Sequence, residues 1–93
     1  MILESDFQQQ VVAFAVSFLS KREIFLLSLM QKGTELAQDG LSVWVGKEKT
    51  SARTVNRLLL CCAISQDSCS PTYWHINETG KKILHARIVE EQG

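Results

Sequence analysis

The stretch Lys47–Ile64, KEKTSARTVNRLLLCCAI, decides how the rest of the chain is read. Thr50 or Ser51 can cap a helix. From there Val55, Leu58, Leu59 and Cys62 recur at helical spacing, while Lys49, Arg53, Asn56 and Arg57 fall on the other side. Such a helix packs its apolar face and turns its basic face to water. Between Lys47 and Arg57 stand four basic residues against the single acid Glu48. The second half, LLLCCAI, reads as core.

The segment before it, Thr34 to Gly46, is the least regular. A helical turn is expected over 35–39, stopped by Gly40. Leu41, Val43 and Val45 alternate with Ser42 and Trp44, so 41–45 stays open between a strand and a short helix. Further back, Ser20 and Glu23 form a capping-box pair ahead of Ile24, Phe25, Leu26, Leu27, Leu29 and Met30. That helix is apolar almost all round, hence central, and Gly33 can end it. The first helix is expected from about Ser5 to Leu19, with Phe7, Val11, Phe14, Ala15, Phe18 and Leu19 in one stripe. Core packing is one use of that stripe. The other is a dimer seam through Phe7, Val11, Phe14 and Phe18, since small DNA-binding modules often work as two-fold pairs.

After the central stretch, Ile64 begins a strand. Gln66 to Thr72 is polar, contains the only Pro and reads as a turn, and Tyr73–Ile76 is the returning strand of a hairpin. Asn77 caps a last helix from Glu78 to about Glu90, with Ile83, Leu84, Ala86 and Ile88 inside. The expected fold class is mostly α with a small β-hairpin. It forms one domain over 1–93, with 1–19 an additional helix on a core of 20–91.

Composition bounds the function. With 45% apolar and 22% charged residues, the 93-residue chain is ordinary globular material. Lys plus Arg number 10 and Asp plus Glu number 10, so any polyanion-binding surface must be a local patch on a neutral body. Three Cys, at 61, 62 and 69, do not resemble a secreted disulfide framework, and Met1-Ile2-Leu3 meets Glu4 and Asp6 at once. A cytoplasmic protein without a membrane span is expected. The spacing C-C-x6-C-x5-H, ending at His75, matches no metal pattern, and buried inert thiols are the expectation. Neither His75 nor His85 has a nucleophile beside it, and no Gly-rich phosphate loop exists. No catalytic residue, metal or cofactor is therefore assigned, and the chain is not expected to be an enzyme.

The polar side of the central helix has the chemistry of base readout. Arg reads guanine and Asn reads adenine through paired hydrogen bonds, while Ser, Thr and Lys hold phosphates. The candidate DNA-binding residues are Lys47, Lys49, Thr50, Ser51, Arg53, Thr54, Asn56 and Arg57. Arg53, Asn56 and Arg57 are assigned to bases. Lys47, Lys49, Thr50 and Ser51 are assigned to phosphates.

The run SARTVNRLL resembles the recognition helix of bacterial winged helix-turn-helix regulators. YWHINETGKKIL resembles their second wing strand and following helix, and SKREIFLLSLMQKG their buried first helix. The likeness spans roughly Ser20 to Leu84. It implies a winged helix-turn-helix with an extra N-terminal helix, and a recognition helix at about 51–62 in the major groove. It also implies a wing at about Gln66 to Thr72 and a role in transcription regulation. The chain departs from the family in three places: Ala63 stands where Gly is favoured, Thr34 to Gly46 is long, and the wing carries Asp67 without Lys or Arg. Lys81-Lys82 could supply the missing charge. The expected partners are duplex DNA and a second copy of the chain. The alternative is a winged-helix module that binds a protein, such as a polymerase subunit, another regulator or a replication protein, without touching DNA.

Overall fold

A computed structural model describes the backbone of residues 4–92 and the side chains of residues 9–89. Nine elements follow in order: α1 (Glu4–Phe18), α2 (Lys21–Gln31), β1 (Leu36–Asp39), β2 (Ser42–Val45), β3 (Glu48–Ser51), α3 (Ala52–Leu60), β4 (Ile64–Gln66), β5 (Tyr73–Ile76) and α4 (Glu78–Gln92). The five strands form one antiparallel sheet in the order β3-β2-β1-β5-β4.

The four helices and the β4–β5 hairpin agree with the expected fold class, but the sheet has three strands more than the one small hairpin expected. Residues 35–39 do not form a helical turn; most of them are strand β1, and 41–45 resolves as strand β2. Two short turns explain the difference. Gly40-Leu41 joins β1 to β2 between the paired Asp39 and Ser42, and Gly46-Lys47 joins β2 to β3 between Val45 and Glu48. Both glycines have φ of 61°, and neither Leu41 nor Lys47 has positive φ. Glycine first with positive φ is the requirement of a two-residue II′ hairpin turn. Among the described residues, the element ahead of α3 is therefore strand β3. No helix-turn-helix forms there.

Alternation sorts the sheet into two faces. Leu36, Val43, Val45 and Ile64 are buried, with Trp74 and Ile76 packed beside them against α2, α3 and α4. Leu26, Leu27, Met30, Val55, Leu58, Cys61, Ile83 and Leu84 complete the core from the helices. Ser42, Trp44, Lys49, Ser51 and Tyr73 are exposed on the outer side.

Helix ends hold the helical layer in place. The Ser20–Glu23 capping box is formed in both directions, by Glu23 N–H to Ser20 Oγ and Ser20 N–H to Glu23 Oε1. Asn77 Oδ1 accepts the Gly80 N–H at 2.9 Å, capping α4 as the sequence indicates. Helix α1 has no basic residue in its last turn, and two distant arginines supply the missing donors. Arg57 donates to the Phe18 carbonyl at 2.6 Å, and Arg87 to the carbonyls of Val16 and Leu19 at 2.9 and 3.2 Å. Cations at a helix C-terminus satisfy free carbonyls and complement the helix dipole. Helix α1 packs mainly against α4. No helix among the described residues is long and apolar enough to cross a membrane.

Candidate nucleic-acid interface

Helix α3 starts directly from β3, with Ser51 extended at the N-cap position. Ser51 makes no side-chain cap, and the Thr50 hydroxyl bonds to that of Thr54 at 2.7 Å instead. No side chain of Ser51 therefore screens the first-turn N–H groups. Val55 and Leu58 face the core. Arg53 and Asn56, three residues apart and so on one helical face, are exposed. Neither makes a hydrogen bond or ion pair among the described residues. Leu60 follows on the same side at 68% exposure.

Seven of the eight sequence candidates separate into three groups. Ser51, the last residue of β3, and Arg53 and Asn56 on α3 are exposed. Lys47 and Lys49 are exposed on the β2–β3 connection and on β3, the Lys49 ammonium lying 5.8 Å from the Trp44 ring centre. Thr50 and Thr54 are half-buried and engaged with each other.

Arg57 stands apart from all of these. Its Nε donates to Glu23 Oε2 at 2.6 Å, its Nη2 to the Phe18 carbonyl, and its guanidinium lies 4.0 Å from the Phe18 ring centre. Nε is committed to α2 and Nη2 to α1, so Arg57 is not placed to read a base with its fork. Glu23 is buried at 4% exposure. Burial by itself raises its carboxyl pKa, but hydrogen bonds from Arg57 and Ser20 outweigh that and hold it below the ordinary value.

Arg22 enters the site without having been singled out in the sequence. Its guanidinium bonds Glu48 Oε2 at 3.0 Å and the Lys49 carbonyl at 3.3 Å, tying the start of α2 to β3. With Ser20, Glu23, Arg53, Thr54 and Arg57 it lines an open hollow of about 330 Å³. The only advance signal was its place in SKREIF, next to a cap. Lys21, Lys47, Lys49 and Arg53 are exposed and have no carboxylate partner among the described residues.

The other expected contributors sit elsewhere. Gly80, in the first turn of α4, lies against the Ala63 carbonyl at the far end of α3. Lys81 and Lys82 therefore follow a residue that packs beyond the C-terminal end of α3, not at its start. The loop between β4 and β5 has Asp67 turned inward, one oxygen accepting the Cys69 N–H and the other 3.1 Å from His75 Nε2. The Cys69 N–H and then His75 hold the Asp67 carboxyl below its ordinary pKa. Of the proposed dimer residues, the Phe7 side chain lies outside the described residues. Val11 is half-buried and Phe14 is 50% exposed. Phe18 is not free for a seam, because it stacks on Phe14 at 4.9 Å and carries Arg57 on its ring.

All three cysteines are free thiols. Cys61 is buried, and burial pushes its pKa up to about 11, so it holds no thiolate at neutral pH. Cys62 and Cys69 are exposed. Comparison with family models, with curated proteins and with solved structures finds no match.

Proposed function

We propose that this chain binds duplex DNA through the exposed face of α3, with Arg53 and Asn56 on base edges in the major groove. One observation carries this reading. Arg53 and Asn56 share a helical face near the start of α3 and have no partner among the described residues, while Arg22 lines the same hollow as Arg53 and Lys49 stands on the strand that leads into α3. Arg and Asn side chains are the ones geometry suits to guanine and adenine, and flanking cations hold the backbone in register. The order α2, α3, β4–β5 hairpin, α4 supports a winged-helix variant in which the β2–β3 hairpin replaces the helix before the recognition helix. Transcription regulation is the role this implies. Arg57 belongs to the scaffold under this reading, and Arg22 joins the phosphate set.

The test is salt-dependent binding, by fluorescence anisotropy, to duplexes selected from a random-sequence pool. Binding that falls steeply between 50 and 200 mM salt, and weakens by about 1–3 kcal/mol in Arg53→Ala, is the expected result. No enrichment of any duplex at low salt overturns the reading.

A second reading is supported by Leu60, which is 68% exposed, and Leu59, at 39%, on the same helix. Exposed leucines beside a polar face suit a protein partner as well as thymine methyl groups. Loss of partner binding in Leu60→Asp without any DNA affinity in the native chain would favour that alternative.

A further inference from the structure

Glu35, Asp67 and His75 converge from three separate segments: the approach to β1, the β4–β5 loop and strand β5. One ligand atom from each lies within 4.8 Å of the other two. We propose that this cluster is a binding site for a borderline divalent transition metal of the zinc class, with water completing its coordination. The site is independent of the DNA reading.

Four features support it. First, the donor set is one imidazole and two carboxylates, a combination that zinc accepts and that separates the cluster from a plain acidic patch. Second, the spacing fits. Ligand atoms at about 2.0–2.2 Å from a tetrahedral ion stand roughly 3.3–3.5 Å apart, and Asp67 Oδ2 and His75 Nε2 are already 3.1 Å apart. Third, Asp67 is pre-oriented. The Cys69 N–H holds Oδ1 at 2.9 Å and so aims Oδ2 toward His75, as hydrogen bonds behind a ligand commonly do. Fourth, Glu35 is exposed and makes no hydrogen bond or ion pair among the described residues, so its side chain can close the remaining ångström without breaking anything. Bound metal would join the β4–β5 loop to the start of β1, whose neighbour in the sheet is already β5.

Isothermal titration of the full chain with zinc, backed by the visible spectrum of the cobalt-loaded protein, tests this. One ion per chain is expected, with a rise in melting temperature on loading. His75→Gln and Asp67→Asn should each lower affinity at least tenfold, Glu35→Gln should lower it as well, and His85→Gln should leave it unchanged. Circular dichroism of each variant establishes that the fold is retained; all three cluster positions are at least partly exposed, so the substitutions leave the core intact. Absence of zinc binding overturns the proposal. So does binding that survives in His75→Gln and Asp67→Asn but is lost in Cys62→Ser, which would place the ion on a thiol.

Discussion

The Glu23 carboxylate and the Arg57 guanidinium meet at 2.6 Å, and the same guanidinium closes the end of α1 at Phe18. Three helices are thus joined at one side chain. Glu23 is buried, so removing its partner leaves an uncompensated charge. Arg57→Ala should destabilise the fold by about 2–4 kcal/mol, at the lower side of the range for broken buried pairs because the arginine is partly exposed. Urea unfolding measures it. A loss under about 0.5 kcal/mol would mean the pair is decorative.

The same pair sets a pH dependence. The folded-state pKa of Glu23 lies below the ordinary carboxyl value of 4.5. Its contribution to stability is therefore present above that value and is lost as pH falls through the folded pKa. The native protein should lose stability more steeply than Glu23→Gln as pH falls below about 4.5, although the variant starts less stable at neutral pH. Parallel curves for the two proteins would contradict the assignment.

Cys62 carries φ of 56° at the end of α3, the one non-glycine residue with positive φ among those described. The Ala63 N–H reaches the Leu58 carbonyl and the Cys62 N–H that of Leu59, both at 3.0 Å. That is a Schellman ending with cysteine in the position glycine usually takes. The left-handed conformation costs an L residue about 1–2 kcal/mol, part of which glycine gives back as unfolded-chain entropy. Cys62→Gly should stabilise the protein by about 0.5–1 kcal/mol, several degrees in melting temperature, and Cys62→Ala should not. An unchanged melt in Cys62→Gly would count against the strain.

Gly80 is buried where α4 crosses the α3–β4 connection. A Cβ there would stand 2.6 Å from Ile76 Cγ1 and collide with the Ala63 carbonyl oxygen. The carbonyl is backbone and already accepts the Asn77 N–H at 3.2 Å, so it cannot yield cheaply. Gly80→Ala should cost about 1–3 kcal/mol, in spite of the better helix propensity of alanine. A melting temperature at or above that of the native protein would show that the contact relaxes.

What the sequence made legible was local. The Ser20–Glu23 box, the Asn77 cap and the Tyr73–Ile76 strand all announce themselves within four residues, the reach of capping and helical periodicity. The buried face of α3 was read only in part: Val55 and Leu58 are buried, but Leu59 and Cys62, expected beside them, are exposed, and Cys61 is buried instead. The β1–β3 meander did not, because each strand is only four residues long and alternation over so short a run also fits a helix. The clue lay in the turns: D-G-L-S and V-G-K-E repeat a glycine-first hairpin signal six residues apart, the spacing of four-residue strands joined by two-residue turns. The site was half legible for a related reason. Helical spacing puts Arg53, Asn56 and Arg57 on the polar side alike. Only the packing of α1 and α2 shows that Arg57 is spent on Glu23 and Phe18, while Arg22, far away in sequence, stands beside Arg53.

The contrast between Arg53 and Arg57 gives the most direct test of the account. Duplexes selected from a random pool should be bound about 5- to 150-fold more weakly by Arg53→Ala, the equivalent of about 1–3 kcal/mol, with melting temperature unchanged. Arg57→Lys, which keeps the charge but loses the fork, should lower the melting temperature and leave the affinity of the remaining folded protein within about twofold of native. The opposite pattern, with affinity lost through Arg57 and insensitive to Arg53, would contradict it.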